Sequence, residues 1–397
     1  MHGRKSNATG KIDLFHRLSA LFIVLLLILT GCSSSNSSDP SQESTSNFQG
    51  EYSFVQFGSD HGGADTGAEF TSGVGFADFY EDGTLDHGIT GTANGQLVGN
   101  AFEIGSDTGS YAINSNGELT VDGEFCGYVG VNRHIMVCTA PIPSDAYEET
   151  SMTILVEEAA GRSVSDLAGR FSFVRFSSDY GGEDTGAEFT SGIGYIDFDG
   201  AGGLTYACTG TANGQAAGEA FLAGTFAGTY DVADDGEVTI VDGRVGYVSP
   251  DGSILILTDP IPANDHEETG IAIGLKEATG LSDSSLNGRF SFVRFSSDHG
   301  GADTGAEFTS GIGYVDFDGA GSFTYTCTGT ANGQSGREAF TTGTSSGTYT
   351  VAANGSVTFD SVIQGFLSAD GNILIWTDRI PEDTYEETGI AVGVKTN

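Results

Sequence analysis

Residues 59–73 read SDHGGADTGAEFTSG. The same letters return at 297–311, and SDYGGEDTGAEFTSG stands between them at 178–192. Each copy carries three carboxylates at fixed spacing: Asp60, Asp65 and Glu69; Asp179, Asp184 and Glu188; Asp298, Asp303 and Glu307. Carboxylates on a glycine-rich segment are the hard oxygen ligands of Ca2+, which takes about six to eight of them. The spacing matches neither an EF-hand loop nor a nonapeptide calcium repeat. A simpler reading stands beside the cation site. Glycine supplies positive φ, Asp and Thr side chains cap turns, and the segment folds as a plug. His61 and His299 occupy equivalent places, but Tyr180 replaces them in the middle copy and no second histidine lies in register, so no transition-metal site is expected.

Two of the five cysteines also have a spacing that could do chemistry. The second copy turns a hairpin through Pro250-Asp251-Gly252. Counting back from the equivalent turn places Cys126 directly opposite Cys138, where an oxidising compartment would form a cross-strand disulfide. Cys208 and Cys327 are each alone in their repeats and read as small buried hydrophobes. No Gly-x-Ser-x-Gly elbow, His-Glu-x-x-His pair, P-loop or Cys-x-x-Cys occurs, and no histidine recurs in all three copies. An enzyme is not expected.

The first 31 residues are not part of a fold. Arg4, Lys5, Lys11 and Arg17 precede the apolar run LSALFIVLLLILTGC, an export signal by its length and flanks. Its end, Leu29-Thr30-Gly31-Cys32, resembles the lipobox of bacterial lipoproteins. The resemblance implies cleavage before Cys32, a diacylglycerol on its thiol and a third acyl chain, such as palmitate, on its new amine. Ser33 in the next position implies the outer membrane, and several acyl chains together give stable anchoring. Residues 32–47, the cysteine and SSSNSSDPSQESTSN, form a polar tether that cannot build a core.

Charge narrows the partners. Fifteen Lys and Arg stand against 54 Asp and Glu, a formal net charge of −39. Such a polyanion repels nucleic acid and acidic headgroups. It can gather cations, or stay soluble in saline surroundings.

The elements that must position these residues follow from the repeat. Asp65, Asp184 and Asp303 are equivalent and evenly spaced, which divides the chain into three domain-sized units at 48–157, 167–278 and 286–397. In the second unit, runs rich in β-branched and aromatic residues (169–176, 191–198, 203–211, 228–233, 236–241, 243–249, 253–259 and 268–278) alternate with Gly–Asp clusters. Only short pieces such as SVSDL (163–167) suggest a helical turn. Eight strands joined by short turns must be antiparallel and sequential, and they can close into an up-and-down barrel. A six-bladed propeller built from half-repeats is the rival, but the two halves match poorly. Connections after strands two, four and six are tight, while those after one, three and seven are long. One end of each barrel is therefore expected to carry a loop-rimmed mouth. The seventh connection adds further acids to that rim: Asp145, Glu148 and Glu149; Asp265, Glu267 and Glu268; Asp383, Glu386 and Glu387.

These units resemble calycins, the lipocalin-like barrels. Gly169 and Phe171 open the first strand where lipocalins place Gly-x-Trp, and Lys276 ends the last strand where they place a base over that ring. Gly288, Phe290 and Lys395 repeat the arrangement; Gly50 and Tyr52 match, but Glu157 stands at the basic position. The resemblance implies an all-β chain of three tandem eight-stranded barrels, each closed at its base.

Two functions then compete. In one, the chain is a multivalent envelope module whose barrels bind a small or apolar ligand, with Ca2+ at the rim. In the other, it is a structural or adhesive surface spacer with filled barrels. The interiors discriminate, and Phe171, Phe173, Tyr195, Tyr206 and Trp376 are bulky enough to fill them.

Overall fold

A computed structural model describes residues 48–62, 65–94, 100–139, 149–181, 184–213, 219–258, 268–300, 303–333, 336–341, 343–377 and 387–396. Beside several of the breaks only the backbone is described. The export signal and tether, with Cys32, lie outside the described residues.

Alternating apolar and small or polar residues make nearly every segment a strand. β1 (Gly50–Gly62), β2 (Asp65–Phe79), β3 (Thr84–Asn94), β4 (Asn100–Ile113), β5 (Glu118–Val121), β6 (Glu124–Val129), β7 (Ile135–Thr139) and β8 (Glu149–Glu157) close the first barrel in sequence order. β9 (Gly169–Gly181), β10 (Asp184–Phe198), β11 (Gly203–Asn213), β12 (Glu219–Val232), β13 (Glu237–Ile240), β14 (Val245–Val248), β15 (Ile254–Thr258) and β16 (Glu268–Lys276) close the second. The third runs through β17 (Asn287–Gly300), β18 (Asp303–Asp318), β19 (Ser322–Gly333), β20 (Gly336–Thr341), β21 (Ser345–Val351), β22 (Ser356–Phe359), β23 (Ile363–Leu367), β24 (Ile373–Thr377) and β25 (Glu387–Lys395). There β20 and β21 both pair with β19, dividing what is one strand in the other barrels.

One expectation needs correction. The acidic segment after the first strand is not a long loop. β1 pairs with β2 out to Gly62 opposite Asp65, and β9–β10 and β17–β18 do the same. Its Thr, Phe and Ala residues keep the strand alternation, and glycine weakens a strand without ending it. The fourth strand likewise begins earlier than expected, at Glu219 in the second barrel.

Tyr52 and Phe54 of β1 point into the first barrel, as Phe171 and Phe173 of β9 point into the second. Each interior ring needs room across the sheet. Phe54 lies opposite Gly75, where a Cβ would stand 2.4 Å from the ring and 2.1 Å from the Gly88 carbonyl. Gly194 and Gly313 face Phe173 and Phe292 in the same way. Single-turn 3-10 helices at Val164–Leu167, close to the expected place, and Asp283–Ser285 bring Leu167 and Leu286 fully buried to the barrel bases. Among the described residues, no helix is long and apolar enough to cross a membrane.

The opposite face of β1 is also apolar. Val55 and Phe57, with Val174 and Phe176 of β9 and Val293 and Phe295 of β17, belong to one shared core drawn from all three barrels. The rings of Phe57, Phe176 and Phe295 form a triangle with centroids 5.2–5.3 Å apart. Phe70, Phe189 and Phe308 form a second triangle at 5.1–5.3 Å. Equivalent residues meeting at two successive levels define a pseudo-threefold axis, with all three barrels pointing the same way along it. The last strand of each barrel packs on the first three strands of another: β16 on β1–β3, β25 on β9–β11, and β8 on β17–β19. That head-to-tail contact closes a ring. The barrels are therefore one packed body and not beads on short connectors.

Candidate functional site

The pseudo-threefold axis gathers the three acidic ends. By strand register Asp60 lies between Glu69 on β2 and Glu149 on β8. Asp179 lies between Glu188 and Glu268, and Asp298 between Glu307 and Glu387. Each barrel thus carries a transverse row of three acidic residues. These rows lie one register step beyond Phe70, Phe189 and Phe308, so all three stand at one end of the axis. Asp65, Asp184 and Asp303 sit farther out, opposite Gly62, Gly181 and Gly300. The side chains of these nine predicted residues lie outside the described ones, as do those of His61 and His299. Among the described residues, no group of three or more His, Cys, Asp or Glu could hold a metal ion.

The opposite, basal end is sealed. Lys276 Nζ stands 5.7 Å from the centre of the Phe171 ring, and Lys395 Nζ stands 6.0 Å from that of Phe290, as the calycin resemblance implies. The first barrel replaces this device. His134 Nδ1 and Glu157 Oε2 share a hydrogen bond at 2.6 Å, Tyr52 donates its hydroxyl to the Arg133 carbonyl at 2.7 Å, and the Arg133 guanidinium covers Phe48. Burial, foremost, and the nearby Glu157 charge push the Tyr52 hydroxyl far above its ordinary pKa, so it stays a donor.

Among the described residues, the interior of the second barrel is nearly filled. In the second barrel, Phe173, Tyr206, Cys208, Leu255, Arg175 and Arg244 line a cavity of about 40 Å3. That holds a few water molecules; a ligand pocket of the usual kind needs roughly 300–1,000 Å3. Tyr195, expected as filler, lies on the outer surface, with the Arg170 guanidinium 3.9 Å from its ring centre. Trp376 does fill, packing on Phe292 in the third barrel.

In the first barrel the tyrosine of the second is replaced by His87. It is 9% exposed, and neither ring nitrogen has a hydrogen-bond partner. Burial lowers its pKa, against the raising influence of Asp107, Asp122 and Asp86. Cys126 and Cys138 stand nearby in sequence register, but not directly opposite as expected. Gly127 pairs with Cys138, and Leu119 and Thr120 of β5 pair with Gly127 and Phe125, leaving Cys126 as the extra residue of a bulge. Both thiols are free in this structure. Their hydrogen bond, followed by burial, holds the Cys138 thiol well above its usual pKa. Cys208 and Cys327 are buried.

No protein-family model matches the chain, and no curated protein matches it. Among solved structures, a variant of the vaccine antigen transferrin binding protein B from Haemophilus parasuis is similar at a TM-score of 0.22 and 9% identity, over 88% of this chain and 76% of that one. Isotype 1 transferrin binding protein B from serogroup B Neisseria meningitidis gives 0.21 and 7%, over 88% and 77%. At so low a score and identity, neither likeness bears on what this chain binds.

Proposed function

We propose that the chain is an exported lipoprotein, acylated at Cys32 and held at the outer membrane, which meets its ligand at one composite face made by three barrel ends. The observation that supports this reading most is the common polarity of the barrels about the Phe57–Phe176–Phe295 axis. It turns three separate acidic ends into one face carrying three registered acidic rows. A face of that kind suits a cationic partner, or Ca2+ bridging the chain to one, and asks for no catalytic group. The ligand engages the rim, because the second barrel has too little space inside for an apolar guest. The same filled interior favours the second reading, a structural or adhesive surface protein with no small-molecule ligand.

Native mass spectrometry of the protein purified from its own cells, before and after a chelator, separates the two. A co-purified mass or bound Ca2+ that is lost from an Asp60→Asn, Asp179→Asn, Asp298→Asn triple variant is the expected result. Bare protein in both preparations would leave only the spacer. Loss of membrane association in a Cys32→Ser variant tests the anchor separately.

A further inference from the structure

Among the described residues, nine hydroxyls in the seams between barrels are buried without a hydrogen-bond partner, and they fall into three equivalent sets: Ser59, Ser178 and Ser297; Thr150, Thr269 and Thr388; Thr92, Thr211 and Thr330. None is more than 2% exposed. Register pairs Ser59 with Thr150 on β1 and β8, Ser178 with Thr269, and Ser297 with Thr388. Adjacent paired residues share one face of a sheet, here the face turned away from the barrel interior.

The remaining threonine of each group comes from the neighbouring barrel. β8, bearing Thr150, packs on β19, which carries Thr330; β16, bearing Thr269, packs on β3, which carries Thr92; β25, bearing Thr388, packs on β11, which carries Thr211. Each seam therefore sets a strand pair bearing a Ser and a Thr against a neighbouring strand that bears a Thr.

A buried hydroxyl that makes no hydrogen bond is a sizeable cost, and nine of them weigh heavily against the small net stability of a folded chain. Hydroxyls both donate and accept, and three converging on one point would match the hydrogen bonding of a buried water, which typically makes about three bonds. Ca2+ asks for more oxygens than one triad offers, and usually for carboxylates. We propose that each seam holds a bridging water on its Ser–Thr–Thr triad, three in all, related by the pseudo-threefold axis. These waters pin the register of apolar faces that would otherwise slide over one another, because hydrophobic contact alone is non-directional.

The test uses the full chain. A high-resolution crystal structure grown in rubidium should show, in each seam, a peak roughly 2.5–3.0 Å from the three oxygens and without anomalous signal. Thr269→Val should lower the melting temperature by roughly 2–4 °C, the shift of one lost interaction in a large domain. Thr269→Ser should restore it, and removing the whole triad (Ser178→Ala, Thr269→Val, Thr92→Val) should recover much of the loss. A rubidium signal, an empty seam, or a Thr269→Val variant more stable than the parent would overturn the proposal. The last outcome is what relief of a hydroxyl with no partner would give.

Discussion

His87 is the residue whose environment departs most from its counterparts, Tyr206 and Tyr325. Burial lowers its pKa, so the native state binds fewer protons than the unfolded chain once the pH drops below the usual value of 6.5. Stability from this group is complete above that pH and declines as the pH falls toward the depressed native pKa. A His87→Phe variant should therefore lose less melting temperature than the parent between pH 7.5 and 5. Thermal melts across that range check it, and parallel curves would show that the imidazole is not the titrating group. At the same scale, the turn explains why counting along the hairpin put Cys126 one place out. Ser249 meets Ile254 and Gly130 meets Ile135, each across a four-residue connection where three were expected, so Gly127 and not Cys126 faces Cys138.

At the scale of elements, the barrels differ most at the paired start of β1 and end of β2. Arg170 makes a two-pronged ion pair with Asp197 at 2.6 and 2.7 Å while covering Tyr195, and Arg289 repeats this with Asp316 and Tyr314. In the first barrel Glu51 lies opposite Asp78 instead. Burial, then the charges of Glu51 and Asp86, raise the Asp78 pKa. Like charges directly across a strand pair are destabilising. Glu51→Arg should recreate the arrangement of the other barrels, with Phe76 under the guanidinium. A gain of about 0.3–1 kcal/mol in urea unfolding is expected. The pair is partly exposed, and salt should shrink the gain; a loss of stability would mean that the equivalence of these positions fails.

At the scale of the molecule, the shared core makes three barrels one unit. Phe176 is fully buried although it faces outward from its own barrel. Phe176→Ala should cost about 3–5 kcal/mol, with faster hydrogen exchange on β1, β9 and β17 alike. Phe173→Ala, which empties the interior of the second barrel, should act mainly there. Exchange confined to the second barrel in both variants would indicate three independent domains. The ring of head-to-tail contacts also gives the composite face its meaning, since three ends that could move independently would present no fixed spacing to a partner.

The repeat spacing, the strand runs and the tight even-numbered turns determined the fold class, because alternation and turn chemistry are local properties written residue by residue. The seal of Lys276 over Phe171 and Lys395 over Phe290 was legible through the calycin resemblance. The packing of barrel on barrel was not. Its local signal was the apolar run on the seventh strand, IMVCT at 135–139 and ILILT at 254–258, every residue of which is buried, as happens when both faces of a strand are covered. Sequence reading marked the acidic segments and gave them the wrong backbone, since glycine and aspartate write turns and strand ends in the same letters. Only the tertiary structure decided that three equivalent faces meet around one axis. That outcome depends on which outward surfaces fit each other, and surface complementarity is a property of side chains far apart in the chain.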